Sequence, residues 1–144
     1  GVRDSVTTRK DPALAPYRAG IAAGTDSIMV STTIYTKIDP AQPAVFSRKV
    51  MTIIRDDLGY EGVIISDDMG GAAQVAGYSP GARAVRFLRA GGDMVINGNP
   101  AIMAAMIKAV RAEAKDDPEF AQALTEHTRR ILVLKADQGL ITCG

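Results

Sequence analysis

The sequence predicts an α/β fold in which parallel strands are joined by crossover helices. Two segments, AAGTDSIMVS at 22–31 and RAGGDMVING at 89–98, share a helix end, glycine, an aspartate, an apolar strand and a polar residue. DLGYEGVIIS at 57–66 is a looser third copy with a glutamate at the acidic place. Three consecutive helix–glycine–strand units are typical of parallel strands. The strands are apolar on both faces, as a sheet covered by helices requires.

Local signals place the elements of this alternation. The helix-start signals are, in chain order, Asp-Pro, Ser, Ser-Pro, Asn-Pro and Asp-Pro. Glycines follow several of the apolar helical stretches. The predicted strands are 28–32, 62–66 and 93–97, adjacent and parallel in that order, with 62–66 central. The predicted helices cover 11–23, 47–58, 79–90, 100–115 and 118–138.

The stretch GVIISDDMGG at 62–71 points to the functional site. In parallel α/β folds the site lies beyond the carboxyl ends of the strands, and this strand ends on the adjacent carboxylates Asp67 and Asp68. Because successive side chains on a strand point to opposite faces, the two aspartates need not share a role. If Asp67 points into a cleft, Ile64 and Ser66 face the outer helices. The alternative is that both aspartates only cap the following loop.

Composition excludes several other classes of protein. The 144 residues fit one ordinary domain, 47% hydrophobic and 23% charged, with a net charge of +1. No basic stripe or aromatic platform indicates nucleic-acid binding, and no apolar stretch is long enough to span a bilayer. No His/Cys/Asp cluster has metal-ligand spacing, and GGAAQVAGYSPGARA lacks the lysine of a phosphate-binding loop, so no metal or cofactor is expected. The single cysteine, Cys143, excludes an internal disulfide.

Four blocks, in order and spacing, resemble glycoside hydrolase family 3, and in particular its β-N-acetylhexosaminidase branch. The central block is LGYEGVIISDDMGGA. LAPYRAGIAAGTDSIMVSTTIY and IDPAQPAVFSRKVMTIIRDDLGYEGVI are similar to the family segments before it, and AVRFLRAGGDMVI to the segment after it. The Asp-Asp doublet is similar to the hexosaminidase branch, whereas the β-glucosidase branch usually has Ser-Asp-Trp.

The resemblance implies that residues 1–144 are the C-terminal portion of a (β/α)8 TIM barrel, with about three parallel strands and outer helices. It also implies that Asp67 is the catalytic nucleophile of a retaining glycosidase acting on terminal β-linked N-acetylglucosamine of cell-wall-type glycans. Asp68 and Met69, together with Thr32 and Tyr35 at the end of the preceding strand, are the residues expected to bind the sugar, and a structural role is the alternative for Thr32 and Tyr35. The alternatives are a β-glucosidase of the same family and a non-catalytic half-barrel used as a binding module.

The chain departs from the family pattern in three ways. A (β/α)8 barrel needs about 250 residues, so we expect a missing N-terminal half or a self-partner to complete it. The family's acid/base histidine lies in a loop motif that is absent, and the only histidine, His127, is interpreted as a surface or packing residue. Residues 1–10 resemble the linker after that loop. Met69 is followed directly by Gly70-Gly71, which alters one wall of the predicted sugar site.

The cellular compartment is left open by the sequence. Some relatives of this family are cytoplasmic recycling enzymes and others are exported lipoproteins. STTIYTKIDP and the terminal ITCG resemble the exported type more closely. An exported cell-envelope protein is therefore the favoured expectation, with a cytoplasmic enzyme as the alternative.

Overall fold

A parallel sheet of three strands forms the centre of the computed structural model, which describes residues 2–142. The strand order is β2-β4-β5, so the strand that ends on the aspartate pair is central and the sequence prediction is confirmed. A second sheet pairs two short strands, β1 with β3. The strands are β1 (Arg3–Asp4), β2 (Ser27–Val30), β3 (Ile34–Tyr35), β4 (Val63–Asp68) and β5 (Met94–Ile96). Cys143 lies outside the described residues.

The helices pack against the sheet in the predicted order. They are α1 (Ala15–Ala22), α2 (Arg48–Thr52), α3 (Pro80–Ala90), α4 (Met103–Asp116) and α5 (Pro118–Asp137). Short 3₁₀ turns at Pro12–Leu14, Ala44–Phe46, Ala73–Val75 and Pro100–Ile102 precede or connect them. Side-chain caps form where the sequence indicated them, as when Asp117 accepts hydrogen bonds from the amides of Glu119 and Phe120.

Two predicted helices are less regular than expected. The first begins as a 3₁₀ turn, because Pro16 has no amide hydrogen to donate to the Pro12 carbonyl one α-helical turn earlier. The second is α-helical only to Thr52 and then widens into a π-helix over Ile53–Asp57. Its last turn closes through the Leu58 amide and the Ile53 carbonyl at 2.9 Å.

The pairing of β1 with β3 fixes part of the first ten residues, and their resemblance to the family's linker stays a prediction. Ile34 donates its amide hydrogen to the Val2 carbonyl, and Thr36 donates its own to the Asp4 carbonyl. The Asp4 carboxylate in turn accepts hydrogen bonds from the amides of Val6 and Thr7. The segment is therefore tied to the chain that follows β2.

The hydrophobic core lies between the sheet and its helices. Ile28, Val30 and Ile64 face the helices and are buried, as is Phe87 of α3. The opposite face of the sheet is open, since Met29 is 56% exposed and Ile96 is 38% exposed. One face of the sheet is thus completed by this chain, and the other is not.

Candidate active site at the carboxyl end of the central strand

Asp67 and Asp68 end the central strand at the edge where a parallel sheet places its functional groups. Ile64 and Ser66 are fully buried toward the helices, whereas Ile65 and Asp67 are half-buried on the open face. The alternation along β4 therefore directs the Asp67 side chain to the face on which the sheet is not covered.

The Asp67 carboxylate is held by two neutral donors. Its Oδ2 accepts a hydrogen bond from Thr32 Oγ1 at 3.2 Å, across from the end of β2. Its Oδ1 accepts the Asp68 amide hydrogen at 2.7 Å. Neither donor carries a charge, so the carboxylate is oriented without being neutralised by a cation.

Asp68 has a separate role. Its Oδ1 accepts the amide hydrogens of Gly70 at 2.7 Å and of Gly98 at 2.8 Å, and so joins the loop after β4 to the loop after β5. These backbone hydrogen bonds, with Gly98 the largest contributor and Gly70 next, lower the pKa of Asp68 below its ordinary value. In the structure the doublet therefore consists of one carboxylate on the open face and one loop-joining carboxylate.

The other predicted sugar-binding residues differ in their placement. Thr32 is buried and hydrogen-bonded to Asp67. Met69 is fully buried in the core, where its side chain serves packing. Tyr35 is half-buried on β3, in register with Asp4. Within residues 2–142 no hydrogen bond joins Tyr35 or Met69 side chains to either aspartate.

The glycine-rich loop after the doublet is held closely against the protein. Arg83 donates hydrogen bonds to the carbonyls of Met69 at 2.7 Å and Tyr78 at 2.9 Å. A Cβ atom at Gly70 would overlap the Asn97 side chain, and one at Gly71 would approach Asp68 Oδ2 to 2.7 Å. At Gly70 the Cβ would also approach the Asn99 backbone nitrogen to 2.8 Å, so this position requires glycine. Arg83 as the residue that holds the loop was not identified from the sequence, because it is fourteen residues from Met69 along the chain.

A buried charged cluster lies at the opposite end of the sheet. The Asp93 side chain is fully buried, and its Oδ1 contacts His127 Nδ1 at 2.9 Å and accepts a hydrogen bond from Arg130 at 3.1 Å. Its Oδ2 accepts hydrogen bonds from Arg55 and from the Ile64 amide. Because this cluster is at the start of β5, it lies at the end of the strands remote from Asp67.

His127 is a packing residue, and the surface alternative is wrong. It is buried at 6% exposure beneath the charged residues that flank it in the sequence. Glu126 and Arg129, on either side of it, are exposed and paired with each other, while the ring turns inward to Asp93. Burial disfavours the charged form of Asp93, but hydrogen bonds from His127 and Ile64 and the charge of Arg55 outweigh it and lower its pKa.

Residues 2–142 contain no evident metal centre. Among the described residues, no three His, Cys, Asp or Glu side chains are grouped so as to hold an ion. Within the same residues, no helix is both long and apolar enough to cross a bilayer.

Comparison with known proteins shows the family to which this chain belongs. Residues 4–134 match the Glycosyl hydrolase family 3 N terminal domain, and the chain belongs to this family. It is 39% identical over 102 residues to a beta-hexosaminidase of Stenotrophomonas maltophilia, and 36% identical over 97 residues to one of Xanthomonas campestris. These matches cover 70% and 67% of this chain, and 30% and 29% of the two relatives.

Solved structures agree on the fold. The β-N-acetylhexosaminidase of Beutenbergia cavernae is 41% identical, with a TM-score of 0.91, and the match covers 94% of this chain and 41% of that one. A family 3 β-N-acetylglucosaminidase of Paenibacillus matches 99% of this chain and 29% of its own with a TM-score of 0.84, at 24% identity, which shows the fold alone. The expected fold class, part of a (β/α)8 barrel, is confirmed. The chain spans about a third of the curated relatives that it matches.

Proposed function

We propose that this chain supplies the nucleophile of a retaining glycoside hydrolase that removes terminal β-linked N-acetylglucosamine from cell-wall-type glycans. Asp67 attacks the anomeric carbon, and the bond from that carbon to the leaving oxygen breaks as a covalent glycosyl-enzyme forms. A proton must reach the leaving oxygen in this step, and water then hydrolyses the intermediate. The sugar is proposed from the hexosaminidase names of the relatives at 36–41% identity.

The placement of Asp67 is the observation that carries the proposal. A nucleophilic carboxylate must be charged, oriented and reachable from the cleft. Asp67 is half-buried on the open face and is held by two neutral donors, Thr32 and the Asp68 amide. Asp68 is directed instead to the glycine-rich loop, where it serves backbone groups.

The acid that protonates the leaving oxygen is proposed to come from outside this chain. His127, the chain's only histidine, is engaged with Asp93 at the remote end of the sheet. We therefore expect the isolated chain to be inactive, and activity to require the remaining part of a barrel.

The remaining part of the barrel is also the partner that we propose for the open face of the sheet. The alternative partner is a second copy of the chain. Met29 and Ile96 expose large apolar side chains there, and an exposed apolar sheet face with free edges promotes association. The isolated chain should therefore form an oligomer or bind an added N-terminal half-barrel in light scattering. A monodisperse monomer that does not bind the added half-barrel would contradict the proposed partner.

The test of the function is a matched pair of substitutions in the intact protein, read with an aryl β-N-acetylglucosaminide. Asp67→Asn keeps the size of the side chain but removes the attacking charge, so turnover should fall at least about a thousandfold. Asp68→Asn keeps a carbonyl acceptor for the Gly70 and Gly98 amides and should cost less. Azide should partly restore turnover to Asp67→Ala, since this small anion can occupy the space of the missing carboxylate and attack the anomeric carbon. Near-normal turnover by Asp67→Asn would refute the assignment.

The β-glucosidase alternative is separated from the main proposal by substrate choice. An aryl β-glucoside and the corresponding N-acetylglucosaminide differ only at the 2-position of the sugar. Preference for the N-acetyl sugar supports the hexosaminidase, and preference for the glucoside supports the alternative. If the intact protein is folded but hydrolyses neither substrate, the result supports the non-catalytic module.

A further inference from the structure

The pairing of β4 with β5 contains an irregularity at the proposed nucleophile. Ile65 is in register with Met94, and Asp68 is in register with Ile96. Three steps along β4 therefore match two steps along β5. In a regular ladder Asp67 would stand opposite Ile96, so one residue of β4 is extra. This is a β-bulge, which is rare between parallel strands and is over-represented beside active sites.

The buried hydroxyl of Ser66 bridges this bulge. Ser66 is fully buried, and its Oγ accepts the Ile96 amide hydrogen at 2.9 Å. The same hydroxyl donates to the Asp67 carbonyl at 2.6 Å. The side chain thereby takes the place of a backbone partner for Ile96, and beyond it the ladder resumes when the Met69 amide donates to the Ile96 carbonyl.

The consequence for Asp67 is a change of neighbour. The bulge leaves Asp67 out of register with β5. Its carboxylate instead accepts a hydrogen bond from Thr32, which follows the other neighbouring strand, β2. The bulge also places Asp68, one residue later, within reach of the Gly98 amide in the loop after β5. The inserted residue thus changes which groups of β5 and of the loop after it the two carboxylates can reach.

We propose that Ser66 is a positioning residue for the reaction, whose hydroxyl holds the bulge that sets the position of the Asp67 carboxylate relative to β5 on the open face of the sheet. This rests on the proposed function. Without the hydroxyl, the Ile96 amide and the Asp67 carbonyl each lose a partner in a part-buried setting, and a polar group left unpaired there favours rearrangement. The arrangement open to β4 is the regular register, with Asp67 opposite Ile96.

The chain contains a matched control for this proposal. Ser47 is also fully buried, its hydroxyl donates to Asp39 at 2.8 Å, and its Oγ accepts the Val50 amide hydrogen at 3.3 Å. Ser47→Ala and Ser66→Ala therefore each remove one buried hydroxyl with two hydrogen bonds. Only Ser66 is connected to Asp67.

Two readouts in the intact protein test the proposal. The first is hydrogen exchange of single amides: Ser66→Ala should speed exchange at Ile96 and not at Val50, and Ser47→Ala should do the reverse. The second is the rate at which a mechanism-based fluorosugar labels Asp67. Ser66→Ala should slow labelling roughly 10–100-fold, the scale of a displacement near 1 Å. Ser47→Ala should be labelled at about the wild-type rate. The two variants should have similar midpoints of urea unfolding.

The Ser66→Cys variant extends the comparison, because a thiol is a weaker donor and acceptor than a hydroxyl. Its labelling rate should fall between those of wild type and Ser66→Ala. Equal slowing in Ser66→Ala and Ser47→Ala would show a general effect of stability and overturn the proposal. Unchanged exchange at Ile96, or normal labelling of Ser66→Ala, would overturn it as well. Failure of the proposed function is distinguishable, since wild type itself would then not be labelled at Asp67.

Discussion

Replacing Asp93 by asparagine tests the buried charged cluster at the remote end of the sheet. The substitution keeps the size of the side chain and a carbonyl oxygen but removes the only negative charge of the cluster. Arg55 and Arg130 would then lie close to His127 without an anion between them. The Asp93 side chain is 0% exposed, so water cannot take its place without rearrangement.

The expected loss of stability follows from the exposure of the partners. Breaking a buried ion pair by removing one member typically costs about 3–5 kcal/mol. Arg55 and Arg130 keep 19% and 26% of their side chains exposed and can turn partly to water, which reduces the penalty. We therefore expect a loss near the lower limit, about 3 kcal/mol in the free energy of unfolding.

Urea unfolding of the intact protein at neutral pH measures this loss, and the sequence repeat provides the control. Asp26 occupies the same place as Asp93 in its own helix–glycine–strand unit, but it is exposed and accepts one hydrogen bond, from Gln138 at 3.3 Å. Asp26→Asn should change stability by no more than about 0.5 kcal/mol. A loss under about 1 kcal/mol for Asp93→Asn, or equal losses in the two variants, would refute the reasoning.

The effect should also depend on pH in a defined direction. The pKa of Asp93 is lowered in the folded protein, so its stabilising contribution is complete above the ordinary aspartate pKa of about 3.9. The contribution is lost as the pH falls through the lower, folded pKa. The difference between wild type and Asp93→Asn should thus shrink as the pH falls below about 4.

Two further substitutions test the helix end before β5 and the hydrogen bond to Asp67. Gly91 ends α3 with φ +114° and a Cβ there would lie 3.4 Å from Met51, so Gly91→Ala should cost about 1–2 kcal/mol in urea unfolding. Gly77→Ala is its control, since a Cβ there meets nothing within 4 Å, and an equal cost would contradict the backbone argument. Thr32→Val removes the donor to Asp67 Oδ2 at nearly constant size and should lower turnover roughly tenfold, whereas unchanged turnover would show that this hydrogen bond is dispensable.

Local patterns were sufficient to predict the sheet and the position of the aspartates. Each strand of the three-stranded sheet follows a glycine and an acidic residue, and β4 ends on Asp67 and Asp68 where a parallel sheet places its functional groups. Helix caps such as Ser47 were identified because a cap is a contact between residues two or three apart.

Contacts between distant residues could not be predicted in this way. Asp26 and Asp93 have the same local surroundings in the sequence, yet only Asp93 is buried, because its partner Arg130 reaches it from a helix 37 positions away. The inward direction of His127 depends on that same carboxylate. The bulge at Ser66 likewise depends on the Ile96 amide, thirty residues further along the chain.

The most direct test of the account is the identity of the residue that a mechanism-based fluorosugar labels in the intact protein. Proteolysis and tandem mass spectrometry of the inactivated protein locate the added sugar within the stretch that contains Ser66, Asp67 and Asp68. The account predicts one sugar per protein, attached to Asp67, and no added mass in the Asp67→Asn variant. A label on Asp68, or complete inactivation with the sugar attached elsewhere, would contradict the assignment of Asp67 as the nucleophile.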